Sequence, residues 1–117
     1  MPTALARLRT LCLALPETHE VESHGEPTFR VGKKQFAIFA SAGNHHGNGR
    51  DGVWIKTTHF TQDALVRAQP ERFFIPPYVA HLGWVGAWLD DDPDWGQIDE
   101  LLCEAYRMVA PKRLKVE

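Results

Sequence analysis

Two runs rich in β-branched and aromatic residues, Thr28 to Val31 and Lys34 to Ala40, are separated only by Gly32 and Lys33. Two residues are too few for a crossover, so the runs pair as a hairpin and commit the chain to an antiparallel sheet. Strand side chains alternate with period two, so Phe29 is expected to share a face with Val31, and Phe36 with Ile38.

The flanking segments have other periods. Leu5, Leu8, Leu11, Cys12 and Leu15 recur at helical spacing behind Thr3, an N-cap residue type, and Pro16 stops the pattern. Thr18 to Ser23 is a further short strand. Residues 41–52 hold four glycines and two asparagines and form a loop. Val53, Ile55 and Thr57 then alternate with Trp54 and Lys56 as another strand. A polar helix runs from Thr61 to about Ala68, and Arg72 to Tyr78, with Pro76-Pro77, reads as an extended connector. Leu82 to Leu89 is a strand with Trp84 and Trp88 on one face and Val85, Ala87 and Leu89 on the other; both faces are apolar, as in a doubly covered strand. Asp94 and Gln97 open a last helix, whose stripe of Ile98, Leu101, Leu102, Ala105 and Val109 ends before Pro111. The expected fold is α+β, a single domain over 1–117, with helices on an antiparallel sheet of about five strands in the order α-β-β-β-β-α-β-α.

A chain of 117 residues can bury a core without a metal or disulfides, and no cofactor is required. Cys12 and Cys103 lie in apolar helical patterns and are expected to be reduced. The apolar N-terminus is interrupted by Arg7 and Arg9, lacks a clear cleavage site and is too short to span a bilayer, so a cytoplasmic protein is expected.

The net charge of −2 argues against polyanion binding by overall field, so any nucleic-acid contact would have to be local. Charge is uneven along the chain. Asp90 to Glu104 holds seven acids and no Lys or Arg, whereas His24 to Thr57 holds five bases against Glu26 and Asp51. The candidate phosphate contacts are Arg30, Lys33, Lys34, Arg50 and Lys56, with Lys112 and Arg113 near the end. Lysines at a turn also deter edge-to-edge aggregation, so the pattern alone fits either role.

Other chemistries are poorly supported. His45-His46 beside Asp51, with or without His24, lacks the spacing of a metal site. Ser23 and Ser41 sit in no nucleophile elbow, and the glycines of the 41–52 loop match no nucleotide fingerprint. The acids at Asp90 to Asp94 read as a solvated, helix-capping turn. A non-catalytic protein is expected.

The series Gly25, Pro27, Phe29, Lys34, Phe36, Ala37, then Lys56, Phe74 with Pro76 and Tyr78, Trp84-Val85, and Tyr106 near Lys112 to Leu114 resembles the MmcQ/YjbR family over about Leu5 to Leu114. The resemblance implies helices packed on an antiparallel sheet, with likenesses to secretion-chaperone-like and frataxin-like folds. It also implies a proposed double-wing mode of DNA binding, in which hairpins act as wings. Carried over, the wing residues are Gly32, Lys33 and Lys34 with Arg30 on the flank; Gly25 and Pro27 shape the hairpin, and Trp84 and Tyr106 belong to the core. The net acidity and the His-rich loop depart from what a DNA binder needs. The competing expectation is a protein-interaction or chaperone-like module using the sheet surface and exposed aromatics such as Trp54, Phe60 or Trp95.

Overall fold

The structure, a computed structural model, describes residues 3–43 and 49–114. Helix α1 (Ala4–Leu13) starts where Thr3 Oγ1 accepts from the Ala6 N–H at 3.0 Å, and it buries Leu8 and Cys12. Three strands follow: β1 (Thr18–Ser23), β2 (Glu26–Val31) and β3 (Lys34–Ala40). Both connections are two-residue turns. His24 and Gly25 take φ 54° and 82°, the double positive φ of a type I′ turn; Gly32 takes 62° while Lys33 stays negative, which is type II′. Then come β4 (Gly52–Ile55), α2 (His59–Ala68), β5 (Phe73–Phe74), β6 (Val85–Trp88) and α3 (Trp95–Val109).

Among the described residues the strands form one antiparallel sheet of six, in the order β1-β2-β3-β4-β6-β5. The additional strand is Phe73–Phe74, read from sequence as part of a connector. Two residues carry too little pattern to announce a strand, and pairing with Ala87 and Gly86 makes it one. The predicted strand from Leu82 begins only at Val85, because Ala80–Leu82 forms a single 3-10 turn. Helix α2 starts at His59, two residues earlier than expected, because Thr58 caps it, its side chain accepting from the Thr61 N–H.

All three helices pack on one face. Leu8 and Cys12 of α1, the Ile98-to-Val109 stripe of α3 and the partly buried Leu65 and Val66 of α2 meet Phe29, Val31, Val53, Ile55, Val85 and Ala87. Phe36 joins this core and Ile38 does not, which corrects the expected shared face. Between Phe29↔Ala37 and Arg30↔Gln35 the register skips Phe36, so a bulge turns Phe36 and Ala37 to the helices together. Tyr106 meets the Phe36 ring edge-on at 6.0 Å and donates its hydroxyl to Pro16 O at 2.9 Å, tying α3 to the end of α1. Tyr106→Phe should therefore lose about 1 kcal/mol in urea melts, the net value of one such hydrogen bond.

Both cysteines are free thiols. Burial pushes the Cys12 thiol up and, less strongly, that of Cys103, which keeps both protonated. No helix among the described residues is long and apolar enough to cross a membrane.

Candidate nucleic-acid interface on the open sheet face

The face of the sheet away from the helices carries a second, smaller cluster: Ala40, Trp54, Val79 and Trp84, with Ile38 and Phe74 against it. Phe74 stacks on Trp88 at 4.0 Å. The apolar face expected on the far side of β6 is thus covered by the 72–84 connector rather than by helices.

That cover stops short of β2. Alternation places Glu26, Thr28 and Arg30 on the open face, while Phe29 and Val31 go to the core. A cavity of about 610 Å³ lies over this stripe, lined by Glu26, Thr28, Arg30 and Lys33 together with Ile38, Trp54, Tyr78 and Val79. Thr28 donates its hydroxyl to Val21 O at 2.7 Å and accepts from Arg30 Nε at 3.1 Å, so the guanidinium is held from below.

The seven candidate bases fall in three places. Arg30 and Lys33 line the cavity beside Gln35, which pairs with Arg30 across the strands. Lys56 follows β4 at the same end of the sheet: its N–H donates to Phe36 O, and its Nζ stands 5.8 Å from the Trp84 ring. Lys34 is exposed on the other face of that end, because it pairs with Val31. None of these four forms an ion pair among the described residues.

Arg50 and Arg113 are already compensated. Arg50 grips both oxygens of Asp90 at 2.8 and 2.9 Å and lies 4.1 Å over the Trp88 ring. Those hydrogen bonds hold the Asp90 carboxyl below its ordinary range, so the bridge contributes above that range and is lost as pH falls through the lowered value. Arg113 grips Glu17 in the same way at 2.7 and 2.8 Å, with exposed Lys112 beside it.

Register also sorts the charge. Ile55 pairs with Val85 near the Gly32–Lys33 turn, and Gly52 pairs with Trp88 at the opposite end, where Asp90, Asp91, Asp92 and Asp94 leave the sheet. Glu17 precedes Thr18, which pairs with Val31, and so sits at the basic end, where Arg113 neutralises it. The chain is mildly acidic overall yet has a cationic end.

Asp51 accepts from Ala42 N, and among the described residues no group of His, Cys, Asp or Glu is placed to hold a metal. His45 and His46 lie outside the described residues. Of the aromatics expected to be exposed, Phe60 is, at 82%; Trp54 is buried, and Trp95 is half-buried under Arg7 at 4.9 Å. Sequence reading missed Glu26, Thr28 and Gln35 as cavity residues. The signal was present as a polar alternation, Glu26-Thr28-Arg30, on a strand whose other face is core.

The YjbR family model matches residues 13–108. The chain belongs to the YjbR family. In the crystal structure of Deinococcus radiodurans protein DR2400, which carries the DUF419 domain, the same fold recurs with a TM-score of 0.78. The alignment covers 97% of this chain and 82% of that one at 22% identity, a level at which the likeness speaks for the fold alone. No curated protein matches the chain. The YjbR fold accounts for the helix-covered face; the cavity, with Arg30 and Lys33 in its lining, describes what this chain puts on the other.

Proposed function

We propose that this YjbR-family protein binds DNA, weakly and without catalysis, through backbone phosphates at the Gly32–Lys33 end of its sheet. One observation carries this: Arg30, Lys33, Lys34 and Lys56 lie at that end without ion pairs among the described residues, while the Asp90–Asp94 acids leave the sheet at the other end. A bound duplex would meet the cations and stay clear of the acids. Arg50 and Arg113 would each have to break a two-pronged carboxylate pair first, so the footprint is smaller than the set of bases suggests. The His24–Gly25 turn lies at the opposite end of β2 from Gly32–Lys33, so a single hairpin end, rather than two adjacent turns of β1–β3, makes the contact.

Contacts of this kind position a protein without reading sequence. Fluorescence anisotropy with a labelled duplex across a salt series tests the proposal. About three or four neutralised phosphates give a slope of log K against log salt near −3, at roughly −0.9 per contact. Lys33→Glu/Lys34→Glu should flatten that slope by about two contacts and weaken low-salt binding at least about tenfold. No binding at low salt, or a double mutant indistinguishable from wild type, rules the proposal out.

A further inference from the structure

The cavity on the open face has chemistry that duplex binding leaves unused. Its two polar ends lie on one strand: Glu26 and Arg30 are four residues apart on β2, on one face, with about 13 Å between their Cα atoms. Glu26 is only 5% exposed, and its Oε2 accepts from Ser41 N at 2.8 Å and Ser41 Oγ at 3.1 Å. A carboxylate this buried is ordinarily paired with a donor-rich partner, and among the described residues it has no cation. At the far end the Arg30 Nε is fixed on Thr28, and its two terminal nitrogens have no acceptor among the described residues; Lys33 stands beside it. The wall between these ends is apolar and aromatic, formed by Ile38, Trp54, Tyr78 and Val79.

We propose that this cavity binds a nucleotide, with the phosphate on Arg30 and Lys33, the base against the aromatic wall and an amino edge of the base donating toward Glu26. Three features select this ligand together. A basic end takes the anion, the carboxylate at the other end can accept a donor in addition to the two that Ser41 supplies, and the apolar wall between them fits a planar ring. The volume of about 610 Å³ is that of a small-molecule site. A duplex cannot enter such a concavity, so the nucleotide is either free or displayed unstacked by a single strand. The site shares Arg30 and Lys33 with the proposed DNA contact but does not depend on it.

Calorimetric titration with GMP, AMP, CMP and UMP tests the assignment, with Glu26→Gln, Arg30→Gln and Ile38→Trp as variants. Saturable one-to-one binding is expected, weakest for UMP, whose base edge offers one donor flanked by two carbonyls. Glu26→Gln should weaken GMP about tenfold, the value of a hydrogen bond to a charged group, and UMP less. Arg30→Gln should weaken all four, and Ile38→Trp should block the cavity. Should Ile38→Trp fail to fold, judged by circular dichroism, the Glu26→Gln selectivity carries the test. A single-stranded oligonucleotide that displaces GMP identifies a strand as the source of the base; one that does not identifies the free nucleotide. Duplex binding should survive Glu26→Gln, which separates the two proposals. Absence of nucleotide binding at millimolar concentration, or binding indifferent to Glu26→Gln and to a folded Ile38→Trp, overturns this one.

Discussion

Phe36→Ala is expected to lower the stability of this protein by about 3–5 kcal/mol, the usual cost of emptying a buried phenylalanine site. Phe36 has no exposed surface, lies in the main core and meets Tyr106 edge-on. Truncation removes the ring's burial and leaves a void against α3, whose Tyr106 is anchored to Pro16 and so is poorly placed to collapse into it. A domain of this size has roughly 5–15 kcal/mol in total, so the variant should unfold at much lower urea. Ile38→Ala is the informative comparison. Ile38 is half-buried at the cavity on the other face, and its truncation should cost well under half as much. A regular strand would put residues 36 and 38 on one face and make both substitutions core truncations. Two similar losses would show that the bulge between Phe29 and Arg30 is absent in solution.

That bulge marks the limit of what the sequence discloses. Alternation correctly placed Val53 and Ile55 against Trp54, and Val85, Ala87 and Leu89 against Trp84, because those strands keep strict period two and their faces differ in what covers them. It failed at Phe36 because a bulge adds one residue to one strand without any composition signal in that strand alone. The caps at Thr3 and Asp94 were legible because their side-chain oxygens satisfy local N–H groups three residues on. The Phe73–Phe74 strand was not, since its identity lies in the partner it pairs with. The candidate site divides in the same way. Lys33 at the turn follows from Gly32, but the grouping of Arg30 with Lys56 depends on the order of strands. The capture of Arg50 by Asp90, 40 residues away, and of Arg113 by Glu17, 96 away, depends on tertiary placement that local patterns do not encode.

Gly83→Ala should cost roughly 2–5 kcal/mol, from two sources that a second variant separates. The first is conformational: Gly83 closes the Ala80–Leu82 turn at φ 93°, where a side chain is strained. The second is steric. A Cβ there would stand 2.9 Å from His59 N and 3.1 Å from both Thr57 O and Thr58 C, all of them backbone and so unable to swing aside. The displaced segment is the start of α2, where Thr58 Oγ1 caps Thr61 N. Its neighbour is the connector, pinned by the Gln62 amide donating to Ala80 O and Trp84 O. Gly25 supplies the contrast, with φ 82° but nothing within 4 Å of a built Cβ, so Gly25→Ala should show only the conformational part, about 1–2 kcal/mol. The excess in Gly83→Ala, read from paired urea melts, measures how rigidly the connector is seated against α2. Tyr78 and Val79 sit on that connector and wall the cavity, so a large excess should come with weakened nucleotide binding in whatever fraction remains folded. Equal losses in the two variants would mean that the connector slides to accept the methyl group, and the aromatic wall would then be adjustable rather than preformed.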